Sequence, residues 1–169
     1  MNSNFLVVGH DPGMTGAFAL LRGEELLDVH RVQQRGPRIN VGAVDLWLRS
    51  VLDDHGSLDA LVIEDLHGFQ ANTPTANWML SRAESAVVTV ADLMGLPMMW
   101  VTPLRWQKAV LQGMPVAGHD QIKEASRKWA SEKYPQTSAA LSVKASQDIA
   151  DAICIAEMGR RLLNRGRTQ

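Results

Sequence analysis

The chain has 169 residues, of which 46% are hydrophobic and 21% charged, and its formal net charge is -1; these are the proportions of an ordinary globule and exclude a disordered or fibrous chain. One domain spanning residues 1–169 is expected, with its core between about 5 and 163 and a basic tail at Arg165 and Arg167, long enough to bury an apolar interior without staples. No apolar run approaches the length of a bilayer span, and no basic segment followed by an apolar one opens the chain. The default expectation is therefore a cytoplasmic location and no membrane partner.

Phe5 to Asp11 reads as a buried central strand, because Leu6, Val7 and Val8 follow one another without a polar break. The turn from Pro12 to Gly16 leads into a second strand at Ala17 to Leu21, and Arg22-Gly23-Glu24 marks a hairpin into a third at Leu26 to Val32, so an antiparallel meander is predicted. Gln33 to Arg38 reads as a polar loop. Asn40 can cap a helix whose apolar face is Val44, Leu46, Trp47, Val51 and Leu52 and which Gly56 ends. A fourth strand follows at Asp59 to Glu64, then a polar loop from His67 to Thr75. Ala76 to Met94 is a long helix rich in Ala and Val, Met98 to Val101 a fifth strand, and Thr102-Pro103 the start of a helix ending near Gly113. Asp120 to Tyr134 is an amphipathic helix bearing Lys123, Arg127, Lys128 and Lys133. After a loop from Pro135 to Ala145, Ser146 caps a final helix that reaches Leu163. The pattern is α/β: a five-stranded mixed sheet flanked by helices.

The single cysteine, Cys154, lies in Ala152-Ile153-Cys154-Ile155-Ala156 and is expected on a packed helix face, unable to form an internal disulfide. Trp78, Trp100, Trp106 and Trp129 are expected in the core or an interface rather than as platforms for a ligand. Charge is unevenly divided: residues 1–99 hold 6 Lys or Arg against 12 Asp or Glu, and residues 100–169 hold 11 against 6. A basic C-terminal half either faces a phosphate backbone or is a solvated pair of helices without a partner.

Four carboxylates carry the functional reading. Asp11 ends the first apolar strand and Glu64 the fourth, so if these strands are neighbours their last side chains emerge side by side. Asp148 and Asp151 are three residues apart and share a face of the final helix. Carboxylate oxygens without Cys or clustered His select hard ions such as Mg²⁺ or Mn²⁺, and this distribution is what a two-metal nuclease of the RNase H-like fold requires. Asp65 adjoins Glu64 but alternation sends it to the opposite face. By the same rule His10 faces away from Asp11 and is expected to hydrogen-bond inside the fold.

The ordered set, Asp11-Pro12-Gly13-Met14-Thr15-Gly16, then Ile63-Glu64, then Asp148-Ile149-Ala150-Asp151, closely resembles the RuvC-type Holliday-junction resolvases over about Phe5 to Leu163. The chain departs from the family in its short first turn and in His10, where an aliphatic residue is usual, which suggests a divergent or phage-like member. The resemblance implies a homodimeric endonuclease that resolves four-way DNA junctions by paired nicks, with Asp11, Glu64, Asp148 and Asp151 holding two Mg²⁺ ions, Mn²⁺ substituting. It also implies DNA contacts from Arg105 and Lys108, from Lys123, from His119 where the family carries Lys, and from Phe69, an aromatic able to stack on an unpaired base or wedge between arms. The helix from Ala76 to Met94, with Ala83, Ser85, Ala86 and Ala91, is a candidate dimer helix. Other readings stay open: an RNase H-fold nuclease acting on broader branched DNA or on RNA, an actin-like or sugar-kinase ATPase, and a DNA-binding module without catalysis. No second phosphate loop supports the ATPase, and the intact set of acids speaks against the module.

Overall fold

The structure, a computed structural model, describes residues 4–65, 73–115, 118–137, 141 and 146–166. Its centre is a five-stranded sheet of β1 (Leu6–Asp11), β2 (Ala17–Arg22), β3 (Glu25–Arg31), β4 (Ala60–Glu64) and β5 (Met98–Val101), in the order β3-β2-β1-β4-β5. β1, β2 and β3 form the antiparallel meander, turned at Gly23 with φ 57°. β4 and β5 add in parallel on the other side of β1. β1 is thus central and covered on both faces, which is why its apolar run is unbroken, whereas the edge strand β3 alternates between covered and exposed residues.

Two helices, α1 (Val41–His55) and α2 (Pro74–Leu93), cover one face, packing on Leu6, Val8, Phe18, Leu20, Leu61 and Ile63. The other face carries α3 (Pro103–Val110), α4 (His119–Lys133) and α5 (Gln147–Gly166), packed on Val7, Ala17, Ala19, Leu21, Ala60 and Val62. Cys154 is fully buried on α5, as the apolar run around it predicts. Burial pushes its thiol well above the ordinary range.

Several expectations need correction. In α1 the covered residues are Val44, Trp47, Leu48 and Val51, and Leu46 is 70% exposed. Positions 44, 47, 48 and 51 form one helical stripe, and 46 lies off it. α2 starts at Pro74 rather than Ala76, because Thr73 accepts a hydrogen bond from the Ala76 N–H and Pro74 takes the first helical position. Within α2, Ala83 and Ala91 are buried against the chain's own sheet. α3 ends at Val110, and α5 continues past Leu163 to include Arg165. Of the tryptophans expected in the core or an interface, Trp106 is buried and Trp129 packs against the core, while Trp78 and Trp100 are 58% and 42% exposed in the single chain. Arg82 stacks on the Trp78 ring, 4.3 Å from its centroid.

His10 faces α1, away from Asp11. Its ring stacks on Phe18 at 4.5 Å, Phe18 on Trp47 at 4.9 Å, and Trp47 on His30 at 5.3 Å, and Asp28 accepts from the Trp47 indole at 2.9 Å. His10 Nδ1 donates to the Ala17 carbonyl at 3.2 Å. Burial lowers this imidazole to about 4 against the raising effect of that bond, so it is a neutral packing element at ordinary pH.

Candidate active site

Parallel pairing of β4 with β1, with His10 opposite Ile63, brings Asp11 and Glu64 to adjacent strand ends. Alternation turns Asp11 to the side of Val7 and Gly9, and Glu64 to the side of Ala60 and Val62, which is the face covered by α3, α4 and α5. Asp65, the next residue, instead extends the ladder by donating its N–H to the Val101 carbonyl at 2.8 Å.

The remaining acids arrive on α5, and two glycines decide how close that helix comes. A Cβ on Gly9 would collide with the backbone of Ala152 and Ala156 and lie 2.7 Å from the Ala156 Cβ; one on Gly159 would collide with Val62. The helix therefore rests directly on β1 and β4. Because Ala152 and Ala156 lie over Gly9 and Gly159 lies over Val7 and Val62, α5 runs back along β1, and its first turns, with Asp148 and Asp151, reach the Asp11 end. Glu157, 1% exposed, accepts from Arg160 at 2.8 and 2.9 Å and from Arg161 at 2.7 Å. Burial alone would raise this carboxyl, but the two guanidinium groups hold it below its ordinary range. Arg161 also donates to the Ala109 carbonyl at 2.6 Å, which ties α5 to α3.

α3 in turn holds Glu64. The Trp106 indole donates to Glu64 Oε1 at 2.7 Å, inside the core, with Glu64 8% exposed. On the other side Gln147, one helical turn before Asp151, donates to Asp151 Oδ1 at 2.9 Å and to Ser126 Oγ of α4 at 2.7 Å, and accepts from Arg127 at 3.3 Å. Each of these two acids thus has one oxygen oriented by the protein.

The electrostatics of the group are those of crowded like charges. Burial and then the charges of Asp151, Glu64 and Asp148 hold the Asp11 carboxyl well above its usual range, with Lys123 opposing. Burial pushes Glu64 up to about 7; the Trp106 hydrogen bond pulls it down and Asp151 adds to the rise. Asp151 is raised by burial and by Asp148, against hydrogen bonds from Gln147 and Ser126 and the charge of Lys123. A hard divalent cation fits this donor set: oxygens only, from four carboxylates on three elements, with excess negative charge to offset. As the side chains stand, no three Asp, Glu, His or Cys among the described residues converge on one ligating point. The oxygen that Glu64 gives to Trp106 leaves its other one for a cation.

The basic residues expected at DNA fall in two places. Lys123, half-buried on α4, lies within electrostatic reach of Asp11 and Asp151. Arg105 and Lys108 are exposed on α3, close in sequence to Trp106. Phe69 and the side chain of His119 lie outside the described residues. Trp106, Gln147 and Ser126 are site residues that the sequence reading does not pick out. A signal exists for the first: a buried indole N–H needs an acceptor.

Sheet order, strand directions and the terminal helix laid over β1 are those of the RNase H-like fold in the form seen in RuvC-type resolvases. No protein-family model and no curated sequence matches the chain. Among solved structures it is similar to Thermus thermophilus RuvC, with TM-score 0.63 and 21% identity over 96% of this chain and 97% of that one. It is also similar to T. thermophilus RuvC in complex with a Holliday junction substrate, with TM-score 0.61 and 20% identity over 91% of each chain. The yeast mitochondrial Holliday junction resolvase Ydc2 follows at TM-score 0.56 and 15% identity, over 95% of this chain and 80% of that one. At these identities the likeness is one of fold. Among the described residues no helix is long and apolar enough to cross a membrane.

Proposed function

We propose that this chain is a metal-dependent endonuclease that resolves four-way DNA junctions by paired nicks, with Asp11, Glu64, Asp148 and Asp151 as the ligands of two Mg²⁺ ions, or Mn²⁺ in their place. One observation carries the reading: the pairing of β1 with β4 and the seat of α5 on Gly9 crowd acids from three elements at one end of the sheet, where burial and then the neighbouring acids raise Asp11. A structural role does not account for such crowding, which destabilises the fold unless a cation offsets it. When bound, a metal pair supplies a nucleophilic water and stabilises the leaving oxygen of an in-line phosphodiester displacement.

The chain's own side chains define the rest. Asp11, at the end of the central strand and with the other three acids around it, would hold the metal together with them. Trp106 and Gln147 fix the orientation of Glu64 and Asp151. Lys123 offsets part of the local charge and can meet a substrate phosphate beside the acids, while Arg105, Lys108 and His119 contact the DNA backbone and Phe69 stacks at the branch point. Nicks on paired strands need two sites related by a two-fold axis, hence a homodimer. The exposed stripe Trp78, Ser81, Ser85 and Thr89 of α2 is the face offered for it, Ala83 and Ala91 being used inside the chain. Residues 1–169 act as one nuclease domain.

Cleavage in Mg²⁺ of a four-way junction, a fork, a linear duplex and a structured RNA tests the reading. Paired nicks on the junction, with little cutting of linear duplex, are expected. Equal cutting of every DNA would remove junction selectivity, and preferential cutting of the RNA would move the assignment to RNA processing.

A further inference from the structure

The acidic half of the chain has one strongly basic surface. Between Asp28 and Asp45 there is no acid, and three of the six Lys or Arg of residues 1–99 fall in that interval: Arg31, Arg35 and Arg38. Of the other three, Arg22 donates to the His55 carbonyl, Arg49 pairs with Asp45, and Arg82 stacks on Trp78. Arg35 and Arg38 are exposed, and no ion pair of either side chain stands among the described residues.

The segment that carries them is the exposed polar loop expected from its sequence, and it is built. Gln34 and Ile39 pair as an antiparallel bridge, the Arg35 N–H donates to the Arg38 carbonyl at 2.8 Å, and the Asn40 N–H to the Gln33 carbonyl at 2.8 Å. Gly36 supplies the φ of 61° that the tip requires. The small hairpin is fastened to the turn that follows Asp11: Gln34 Nε2 donates to the Met14 carbonyl at 2.6 Å and the Val32 N–H to the Gly16 carbonyl at 2.8 Å.

Register gives the distance from the acids of the strand end that leads into it. Arg31 pairs with Ala17 and Ala17 with Asp11, so the end of β3 stands two strands from Asp11, about 10 Å at the usual strand spacing. That is roughly three nucleotide steps of a DNA strand at about 3.4 Å each. Arg105 and Lys108 follow β5, two strands away in the opposite direction.

We propose that the Arg35–Arg38 hairpin is a second phosphate-binding element, which takes the backbone of a DNA arm on the β3 side of the acids, opposite the α3 contacts. Two guanidinium groups on a pinned tip bind phosphate with little ordering cost, and they read charge rather than sequence. The ligand class rests on the nuclease reading; binding and cutting are tested separately.

The test measures binding of a four-way junction and of a linear duplex over a salt series in the Asp11→Asn background, which keeps the DNA intact. Arg35→Ala/Arg38→Ala should lower the slope of log affinity against log salt by about two and weaken binding roughly tenfold to hundredfold near 0.1 M salt. Arg35→Lys/Arg38→Lys should restore most of the slope, and thermal melts of both variants should match the parent. An unchanged slope in the Ala variant, or a Lys variant as weak as the Ala one, overturns the proposal while leaving the nuclease reading in place. Loss of slope in a chain whose Asp11 form cuts nothing upholds the hairpin and removes the nuclease reading.

Discussion

Replacing Trp106 by Phe keeps a buried aromatic ring in α3 but deletes the N–H that donates to Glu64 at 2.7 Å. A buried hydrogen bond to an ionised group is worth about 1.5 to 3 kcal/mol, and about 1.4 kcal/mol shifts a proton affinity tenfold. Glu64, already pushed up to about 7, should therefore move to roughly 8 to 9 in Trp106→Phe. Near pH 7.5 its ionised share falls from about three quarters to between roughly a quarter and a thirtieth. Only the carboxylate ligates a hard cation, so the variant should need roughly three to thirty times more metal at that pH. Loss of orientation acts in the same direction, since partners of metal ligands are commonly worth about 10- to 100-fold in affinity. Calorimetric titration with Mn²⁺ at several pH values, beside cleavage at varied Mg²⁺, checks this: the parent's affinity should climb through neutral pH and the variant's should climb later. A thermal melt shows whether the fold persists. A folded Trp106→Phe protein with the parent's Mn²⁺ affinity and pH midpoint would refute the argument that this indole prepares Glu64.

Three further outcomes are expected. Asp11→Asn should abolish cleavage, leave junction binding largely intact, and raise the melting temperature in chelator, because it removes a charge that burial and three neighbouring acids oppose; measurable cleavage in Mg²⁺ would end Asp11's role. Gly9→Ala should cost about 1 to 3 kcal/mol or more and cut activity heavily with all four acids present, since the added methyl forces α5 away from β1; a denaturant titration with parent-like stability would contradict the contact. In chelator, stability should fall as pH rises from the ordinary carboxyl range to about 7. Glu64 takes up its proton more readily folded than unfolded, so its ionisation works against the fold by at most about 3 kcal/mol, fully felt above about 7, and Mg²⁺ should restore stability more at high pH than at low. A melting temperature flat with pH in chelator would show that Glu64 is not crowded as described.

Much of this molecule is legible before any coordinates. Leu6 to Asp11 and Ala60 to Glu64 declare themselves because both faces of a central strand must be apolar and the carboxylate marks where the strand emerges. What stays hidden is non-local. Leu46 and Leu48 are equally apolar, and helical spacing separates them only once packing on the sheet shows that the stripe of Val44, Trp47, Leu48 and Val51 is the covered one. Thr73-Pro74 starts a helix with Pro in its first turn, as Thr102-Pro103 does, yet Pro74 within a polar stretch reads first as a loop. Gln34 and Ile39 carry no strand signature, and their pairing depends on anchors in the turn at Met14 and Gly16. The four acids are visible by type and order, whereas the Trp106 and Gln147 bonds that aim two of them depend on how α3, α4 and α5 dock.

The contact of α5 with Gly9 also bears on the order in which the molecule can be assembled. Asp11 and Glu64 leave the ribosome early and can meet as soon as β1 and β4 pair, but Asp148 and Asp151 belong to the last helix, which has its seat only on a sheet already formed. A nascent chain halted before α5 therefore presents two strand-end acids and no more. On the nuclease reading proposed above, the set of four acids is complete only once α5 is seated.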